Sequence, residues 1–437
     1  MKLTILLFAS AFLFSVESCT KSSYNPPTTT PPVILSISPD SGAYNTVVTI
    51  TGKNFSADTT KDSVKFDGQT AVIESATDST LVVKVSAGSG TGPVIVVVRG
   101  DTATGPVFNY RLTVTVSTLA GNPKVSGWAN GTGSAATFGG PEGIAVDAQG
   151  NVFVADFLFN LIREITPAGV TTTLAGVPNQ NGIVNGTGSS AKFIDPEGLA
   201  VDTQDNVYVA ENADIRKITS AGVVTTLAGN GTNGYADGAG STVEFNNPNA
   251  LALDGTGNVY VADGRNDVVR KITPAGVTST LAGNGTSGYV DGAGTAAEFF
   301  GVSGMGIDNS GNLYTAEYGD PHIRKITLSG TVSTIAGNGQ YGFVNGSAGS
   351  AEFNTPFDVA VDSKGNVYVS DQSNQCIRMI TPSGTVSTLA GNGTAGYQDG
   401  PGASAEFGYP YGIAVDLQGN VYVADYYNLC IRKITIQ

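Results

Sequence analysis

One phrase, VDxxGNVYVAD with variations, recurs six times in this chain and limits its fold more than any other feature. Its first Asp is repeated every 52 to 55 residues, at Asp147, Asp202, Asp254, Asp308, Asp362 and Asp416. Each repeat contains four short runs rich in Val, Ile or Thr, of the types GIAVD, VYVAD, IRKIT and VTTLAG, separated by Gly and Pro. Such runs favour strands and the intervening residues favour turns, so each unit is predicted to form a four-stranded sheet.

The repeats are offset by one strand, which indicates how they assemble. The first VSTLAG, at 116–121, has no unit before it, whereas the last unit, ending at Gln437, has no such strand after it. Sheets of this kind bury both faces only by packing against two neighbours in a closed ring. The strand over 114–121 is therefore predicted to pair beside 431–436, as the outermost strand of the last blade. The predicted fold is all-β, with a six-bladed β-propeller over 113–437 whose N-terminal strand closes the last blade.

The repeat pattern resembles NHL repeats. The matching residues are the GIAVD, GNVYVAD and IRKI motifs, best seen at 143–165 and 412–434. This resemblance implies a propeller. It does not imply an activity, because one fold carries many functions.

A shorter segment, 33–112, alternates apolar and polar residues in runs such as VVTITG and VIVVV. This pattern predicts a small immunoglobulin-like β-sandwich. The segment resembles an IPT/TIG domain in ISPDSG (37–42), VTITGKNF (48–55), VKFDG (64–68) and FNY (108–110). The resemblance implies a spacer or interaction domain without an active site.

The N-terminus is predicted to be a targeting segment, residues 1–18. Lys2 precedes an apolar run over 3–16 that is short for a membrane span, and Cys19 follows. The segment resembles a bacterial lipoprotein signal, which implies lipidation of Cys19; a plain secretory signal is the alternative. Residues 19–32, rich in Ser, Thr and Pro, are predicted to be a tether. The protein is expected in the cell envelope, at the outer membrane, where the lipid anchor alone attaches it. The sequence does not distinguish between the two leaflets.

The net charge of −14 argues against nucleic acid as a partner, because the chain repels phosphate backbones. Cys376 and Cys430 occupy equivalent positions of adjacent blades. Equivalent points on neighbouring blades lie farther apart than a disulfide spans, so both thiols are predicted to be free.

Charged residues that recur in every unit are predicted to be scaffold, because chemistry needs one site whereas architecture needs six. We expect carboxylate–guanidinium pairs between the residue that ends VAD and the Arg of IRKI. The DGAGxxxEF segments, such as Asp237 with Glu244, are assigned to turns in preference to calcium loops. His322 is the only histidine. One histidine cannot supply a zinc site that needs several histidine ligands. Alignment of the repeats places His322 at a strand position, so it is predicted to be an ordinary strand residue.

Departures from the repeat indicate a binding surface on the loop face of the propeller. Aromatic residues of the first and last blades are expected to gather on one sector of that face: Phe157, Phe159, Tyr409, Tyr411, Tyr426 and Tyr427. Residues at the start of each innermost strand are expected to ring the central mouth: Glu142, Glu197, Asn249, Ser303, Asp358 and Tyr411. Flat aromatic rings suit a sugar or an apolar protein surface. Ordinary loop variation is the alternative interpretation.

These patterns favour a non-catalytic envelope lipoprotein whose loop face binds a glycan or a protein, with the sandwich as spacer and no catalytic, metal or cofactor residue assigned. Anchored IPT/TIG–NHL chains resemble glycan-handling surface lipoproteins, which supports the glycan. One alternative is a lactonase- or lyase-like enzyme, similar to other six-bladed propellers, using Glu142, Glu197, Asn249 and Asp358 around calcium. The other is a purely structural envelope module.

Overall fold

The computed structural model describes residues 30–437, which form two compact units, one ending at Arg111 and the other spanning Leu112–Gln437. The predictions on the signal peptide, Cys19 and most of the tether fall outside the described residues. Within the described part, no helix is both long enough and apolar enough to cross a bilayer.

The first unit is a β-sandwich, as predicted. Its strands are β1 (Val33–Ser38), β2 (Ser41–Gly42), β3 (Val47–Lys53), β4 (Asp62–Phe66), β5 (Gln69–Thr70), β6 (Val72–Ala76), β7 (Thr80–Lys84), β8 (Gly92–Val98) and β9 (Asp101–Tyr110). One sheet has the order β1-β3-β7-β6 and the other β2-β9-β8-β4-β5. Alternate residues of β8 are buried, as a half-buried strand requires. In the core, the rings of Phe66 and Phe108 meet edge to face at 4.8 Å.

The second unit is a propeller of six five-stranded sheets. It begins with β10 (Val114–Ala120), and each later group of strands belongs to one blade. Blade 1 has β11 (Gly131–Thr132), β12 (Pro141–Val146), β13 (Val152–Asp156), β14 (Leu161–Ile165) and β15 (Val170–Gly176). Blade 2 has β16 (Gly186–Thr187), β17 (Pro196–Val201), β18 (Val207–Glu211), β19 (Asp214–Ile218) and β20 (Val223–Gly229). Blade 3 has β21 (Gly238–Ala239), β22 (Pro248–Leu253), β23 (Val259–Asp263), β24 (Val268–Ile272) and β25 (Val277–Ala282).

The remaining blades follow the same order. Blade 4 has β26 (Gly292–Ala293), β27 (Val302–Ile307), β28 (Leu313–Glu317), β29 (Asp320–Ile326) and β30 (Thr331–Ala336). Blade 5 has β31 (Gly346–Ser347), β32 (Pro356–Val361), β33 (Val367–Asp371), β34 (Cys376–Ile380) and β35 (Thr385–Ala390). Blade 6 has β36 (Gly400–Pro401), β37 (Pro410–Val415), β38 (Val421–Asp425) and β39 (Cys430–Ile436), together with β10.

The blades carry one strand more than the sequence predicts. In blade 1 the order is β11-β15-β14-β13-β12, so a two-residue strand pairs outside the fourth strand. A pairing this short has no hydrophobic alternation of its own, so its pattern gives no strand signal. One-turn 3-10 helices are also present: Gly133–Ala135, Phe157–Phe159, Gly188–Ser190, Gly240–Thr242, Gly264–Asn266, Gly294–Ala296, Ala348–Ser350, Gln372–Asn374, Gly402–Ser404 and Tyr426–Asn428.

The ends of the propeller meet inside blade 6, which confirms the predicted closure. β10 pairs antiparallel with β39, with Val114 opposite Ile436 and Val116 opposite Ile434. The backbone N–H of Thr113 donates to the Gln437 carbonyl at 2.7 Å, and that of Gln437 donates to the Thr113 carbonyl at 2.9 Å. The short strand β36 lies outside β10, so β10 is the fourth strand from the axis and not the outermost.

Glycines let the innermost strands of neighbouring blades approach closely around the axis. A Cβ at Gly143 would lie 1.8 Å from the carbonyl oxygen of Glu197, on the next blade. A Cβ at Gly412 would lie 2.2 Å from the carbonyl oxygen of Glu142, on blade 1. Any side chain here would collide with backbone, so these contacts hold blade 6 against blade 1 as tightly as blade 1 against blade 2.

Six buried ion pairs between neighbouring strands confirm the scaffold role of the repeated charges. In blade 3, Arg270 Nη1 lies 2.7 Å from Asp263 Oδ2, and both side chains are fully buried. Arg270 also donates to the carbonyls of Ala236 and Glu244, in the segment that enters the blade. The other pairs are Arg163–Asp156, Arg216–Glu211, Arg324–Glu317, Arg378–Asp371 and Arg432–Asp425. Their hydrogen bonds fix the links between blades.

Aromatic residues of the links cover these guanidinium groups. Arg270 lies between the rings of Tyr235 and Phe245, 4.9 and 5.2 Å from their centroids. Arg378 lies in the same way between Phe343 and Phe353. The repeated link aromatics therefore pack against charge, which favours burial of the cation. Cys376 and Cys430 are buried and unpaired, as predicted.

The repeated arginine of each blade has a second side-chain partner, in the link that enters the blade, and this partner differs between blades. In blades 3 and 6 an Asp accepts from both Nε and Nη2, as Asp399 does from Arg432 at 3.2 and 2.6 Å. In blade 4, Asp291 accepts from Arg324 Nε at 2.9 Å and forms an ion pair with Nη2. In blades 1, 2 and 5 an Asn stands there: Asn130, Asn185 and Asn345. The Nε groups of Arg163, Arg216 and Arg378 are buried without a hydrogen-bond partner.

We expect Asn345→Asp to stabilise the protein by roughly 1–2 kcal/mol, because the carboxylate would accept the orphan Nε–H of Arg378 and add a charge-assisted bond. Asp399→Asn is the matched reverse change and should destabilise it by a similar amount. Urea unfolding of both variants measures the two differences. A neutral or unfavourable Asn345→Asp change, with m unaltered, would contradict this account.

Candidate functional site

The loop face is the end of the propeller at which every innermost strand begins. Pro141, at the start of β12, pairs with Asp156, at the end of β13, so the loop after β13 lies at the same end. One residue per blade follows the first position of the innermost strand and borders the central mouth: Glu142, Glu197, Asn249, Ser303, Phe357 and Tyr411.

Asp358 lines the cavity on the axis, but its position in the repeat differs by one residue from that of the other mouth residues. Counting back five residues from the repeated Asp gives Phe357 in blade 5, so Asp358 stands one position later, where blade 1 has Gly143. Its carboxylate accepts backbone N–H groups of Met305 at 3.1 Å, Val359 at 2.8 Å and Ile413 at 3.0 Å. These amides belong to blades 4, 5 and 6. Asp358 therefore joins three blades, and its hydrogen bonds serve the scaffold.

A cavity of about 40 Å³ lies on the axis below the mouth. Its lining combines polar residues, among them Glu142, Glu197 and Asn249, with apolar residues such as Leu199 and Met305. A cavity needs roughly 10–15 Å³ to hold one water molecule, so this cavity has room for about three. A sugar ring does not fit inside it. Any larger ligand must lie across the mouth.

The two glutamates of the mouth lie where burial disfavours the charged form of a carboxyl group. Burial raises the pKa of Glu142 to about 9, with further contributions from Glu197 and Asp195. Burial also raises the pKa of Glu197 to about 7, while a hydrogen bond from Asn247 opposes the shift. Glu142 is therefore protonated at neutral pH. It offers a donor and an acceptor to a ligand, without a charge.

Four tyrosines and one phenylalanine form a continuous surface on blades 5 and 6, here called the aromatic cluster. The ring of Tyr411 stacks on Tyr426 at 4.4 Å and meets Phe357 at 4.3 Å. Tyr427 contacts Tyr426 at 5.4 Å and Tyr409 at 4.7 Å. Tyr427 is the most exposed of the tyrosines, at 58%. The structure thus brings together all four tyrosines selected from the sequence.

Of the two blade 1 phenylalanines, Phe159 lies outside this cluster. The ring of Phe159 packs edge to face on Trp128 at 5.0 Å. Phe157 is half-buried, and its backbone N–H donates to the carbonyl of Gly140. Leu158, which sequence reasoning missed, is the blade 1 residue at the cluster: it and Tyr426 both lie within 3.2 Å of a Cβ placed on Gly140. Residues Phe157–Phe159 form a one-turn 3-10 helix, which sets the directions of these side chains. A turn this short leaves no periodic pattern in the sequence, so those directions could not be predicted.

Phe357 was also missed, although the sequence contained the signal. It stands five residues before Asp362, as Tyr411 stands before Asp416. The replacement of the usual glycine by Asp358 obscured the register in this blade.

The other candidate residues have local partners. His322 stacks on Tyr289 at 3.9 Å, and its Nδ1 contacts the Asp320 carboxylate. Among residues 30–437 no three His, Cys, Asp or Glu side chains are grouped so as to hold a metal ion. Of the residues in the calcium alternative, Asp358 already accepts three backbone amides, so its carboxylate is committed to the scaffold.

Comparison with known proteins identifies both units. A family model described as IPT/TIG domain matches residues 32–116, and a model described as NHL repeat matches 353–378 and 407–434. The chain consists of an IPT/TIG domain followed by NHL repeats. The IPT/TIG match runs into β10, which the structure assigns to the propeller.

Relatives of the NHL repeats include Protein SUPPRESSOR OF QUENCHING 1, chloroplastic, of Arabidopsis thaliana. It is 30% identical over 319 residues, which is 68% of this chain, and the chain spans only 30% of its length. A solved structural genomics protein of unknown function from Bacteroides thetaiotaomicron has a TM-score of 0.69 at 23% identity, covering 95% of this chain and 100% of that one. An auxiliary nutrient binding protein from the same organism has a TM-score of 0.57 at 20% identity, covering 93% and 98%. Both structural likenesses show the fold alone.

Proposed function

We propose that this chain is a non-catalytic carbohydrate-binding protein of the cell envelope, with the IPT/TIG domain as spacer and the loop face of the NHL propeller as binding surface. One observation carries the proposal: the aromatic cluster lies at the mouth, and four of its rings form a series in which each centroid lies 4.3 to 5.4 Å from the next. The cluster departs from the sixfold repeat, so the scaffold does not require it.

The chemistry of this surface favours a sugar over an apolar protein segment. Ring faces pack against the C–H face of a sugar. At the same mouth, burial raises the pKa of both Tyr411 and Tyr426, and Glu142 contributes to the increase. Carboxyl and phenol groups together offer donors and acceptors to sugar hydroxyls. The fold likeness to a protein named an auxiliary nutrient binding protein is in keeping with a binding role.

We expect the chain lacking residues 1–29 to bind at least one polysaccharide on a glycan array with saturable affinity. Tyr426→Ala with Tyr427→Ala should weaken that binding at least tenfold, since each lost aromatic contact is worth about 1 kcal/mol. Tyr44→Ala, an exposed tyrosine of the IPT/TIG domain, is the control and should leave binding unchanged. An array without a hit, or a hit indifferent to the double change, would overturn the proposal in favour of a protein partner or a structural role.

The proposed anchor is a lipid on Cys19, and the proposed location is the outer membrane. This part of the proposal rests on the sequence signal alone. Cys19→Ser tests it by fractionation, because the unlipidated protein should leave the membrane fraction. Unchanged partitioning would contradict the anchor.

A further inference from the structure

Blade 4 carries a second group of aromatic residues on the loop face, here called the blade 4 platform: Phe300, Tyr318 and Tyr341. Their exposed fractions are 50%, 57% and 56%. Tyr318 directly follows β28, as Tyr426 directly follows β38, so the two occupy the same repeat position. Phe300 directly precedes the glycine before β27, at the same end of the blade.

A tight turn holds the three platform residues together. The Tyr341 hydroxyl donates to the carbonyl of Gly319 at 2.8 Å. A Cβ on Gly319 would lie 2.6 Å from the ring of Phe300. Gly319 therefore leaves the space that Phe300 fills, and Tyr318 lies on the same turn. The N–H of Tyr318 also donates to the carbonyl of Gly301 at 2.9 Å, which fixes the turn on β27.

The blade 4 platform and the aromatic cluster border the same side of the mouth. Ser303 of blade 4 donates from its Oγ to the carbonyl of Phe357 at 2.8 Å, so the innermost strands of blades 4 and 5 are in contact at the mouth. Phe357 of blade 5, between blades 4 and 6 in the ring, contacts Tyr411 at 4.3 Å. Aromatic residues thus follow the mouth from blade 4 to blade 6, and Leu158 continues the apolar surface on blade 1.

The opposite side of the mouth has a different character. At the positions equivalent to Tyr318 and Tyr426, blades 2 and 3 have Asn212 and Gly264. At the positions equivalent to Phe357 and Tyr411, they have Glu197 and Asn249. The aromatic residues of blades 4 to 6, here called the aromatic arc, therefore occupy one half of the mouth. Because the scaffold repeats six times, its packing alone does not explain why one half is aromatic and the other is polar.

We propose that the arc binds a carbohydrate chain of several sugar units laid across the loop face, with the blade 4 platform as a distal subsite. This inference rests on the proposed function. A single sugar would cover one or two rings, whereas the arc extends over three blades. The axial cavity is too small to draw a sugar ring inward, so a longer ligand gains contacts only by extending along the surface.

The test uses the chain lacking residues 1–29 and calorimetric titration with cello-, xylo- and manno-oligosaccharides of one to six units. Affinity for the recognised series should rise with length. Tyr318→Ala should weaken binding of the six-unit oligomer about tenfold and leave the two-unit oligomer unaffected. Tyr427→Ala should weaken both. Tyr318→Phe, which keeps the ring, should retain most of the affinity, and Tyr44→Ala is the neutral control.

The outcomes separate the two proposals. Affinity that does not depend on length, or a Tyr318→Ala effect equal at every length, would overturn the distal subsite while the carbohydrate function stands. Failure of every oligomer and every array polysaccharide to bind would overturn the carbohydrate function itself, and the subsite with it. Unfolding temperatures near that of the parent protein show that each variant is folded.

Discussion

Deleting residues 113–121 should prevent the propeller from folding to a cooperative native state. The deletion removes β10, which pairs with β39 from Val114 to Ala120 and buries Val116 to 1% exposure. Six paired positions and the terminal Thr113–Gln437 bonds are lost, at roughly 1 kcal/mol for each net hydrogen bond. The loss approaches the whole stability of an ordinary domain, roughly 5–15 kcal/mol. Near-ultraviolet circular dichroism and calorimetry measure it.

A permuted chain provides the control for this deletion. Residues 113–121 moved behind Gln437 and joined to it by an Asn-Gly hairpin turn would restore the same strand in the same place, because the two ends are already hydrogen bonded. We expect this permutant to unfold cooperatively, close to the parent temperature. A deleted chain that unfolded like the parent would show that the ring does not depend on closure by β10.

Arg378→Met should destabilise the protein by about 3–5 kcal/mol, because it leaves the Asp371 carboxylate buried without its cation. Arg378 Nη1 lies 2.7 Å from Asp371 Oδ2, and neither side chain has any exposed surface. The guanidinium also donates to the carbonyls of Val344 at 2.8 Å and Glu352 at 2.9 Å, which would lose their partner. Chemical denaturation of the purified variant gives the change in free energy of unfolding.

Two further variants separate charge from geometry. Arg378→Met combined with Asp371→Asn should recover part of the loss, because the uncompensated buried charge is gone. Arg378→Lys keeps the charge and loses the planar fork that reaches several acceptors, so it should still be destabilising. If the double variant proved less stable than Arg378→Met alone, the cost would come from lost packing against Phe343 and Phe353 and not from the charge.

Repetition made the fold predictable. A residue that recurs six times at one position reports an interaction that every blade must make, so the strands, the buried ion pairs and the closure by β10 followed from the pattern. The outer strands such as β36 did not follow from it, since two residues have no period to read. The role of Asp358 could not be predicted either, because Asp358 stands where most blades have a glycine and so follows no repeat pattern. Its hydrogen bonds to blades 4 and 6 form only when the folded ring brings those blades together.

The sequence by itself determined the two domains, the number of blades and the strand that joins the chain ends, because local propensity and a regular repeat encode them. Only the tertiary structure decided which of the irregular residues meet. Tyr411 of β37 stacks on Tyr426 of the one-turn helix after β38. Phe357 and Leu158 join them from the two neighbouring blades, whereas Phe159 packs on Trp128. Those contacts depend on the angles between blades and on one-turn helices in the loops, for which the repeat carries no signal.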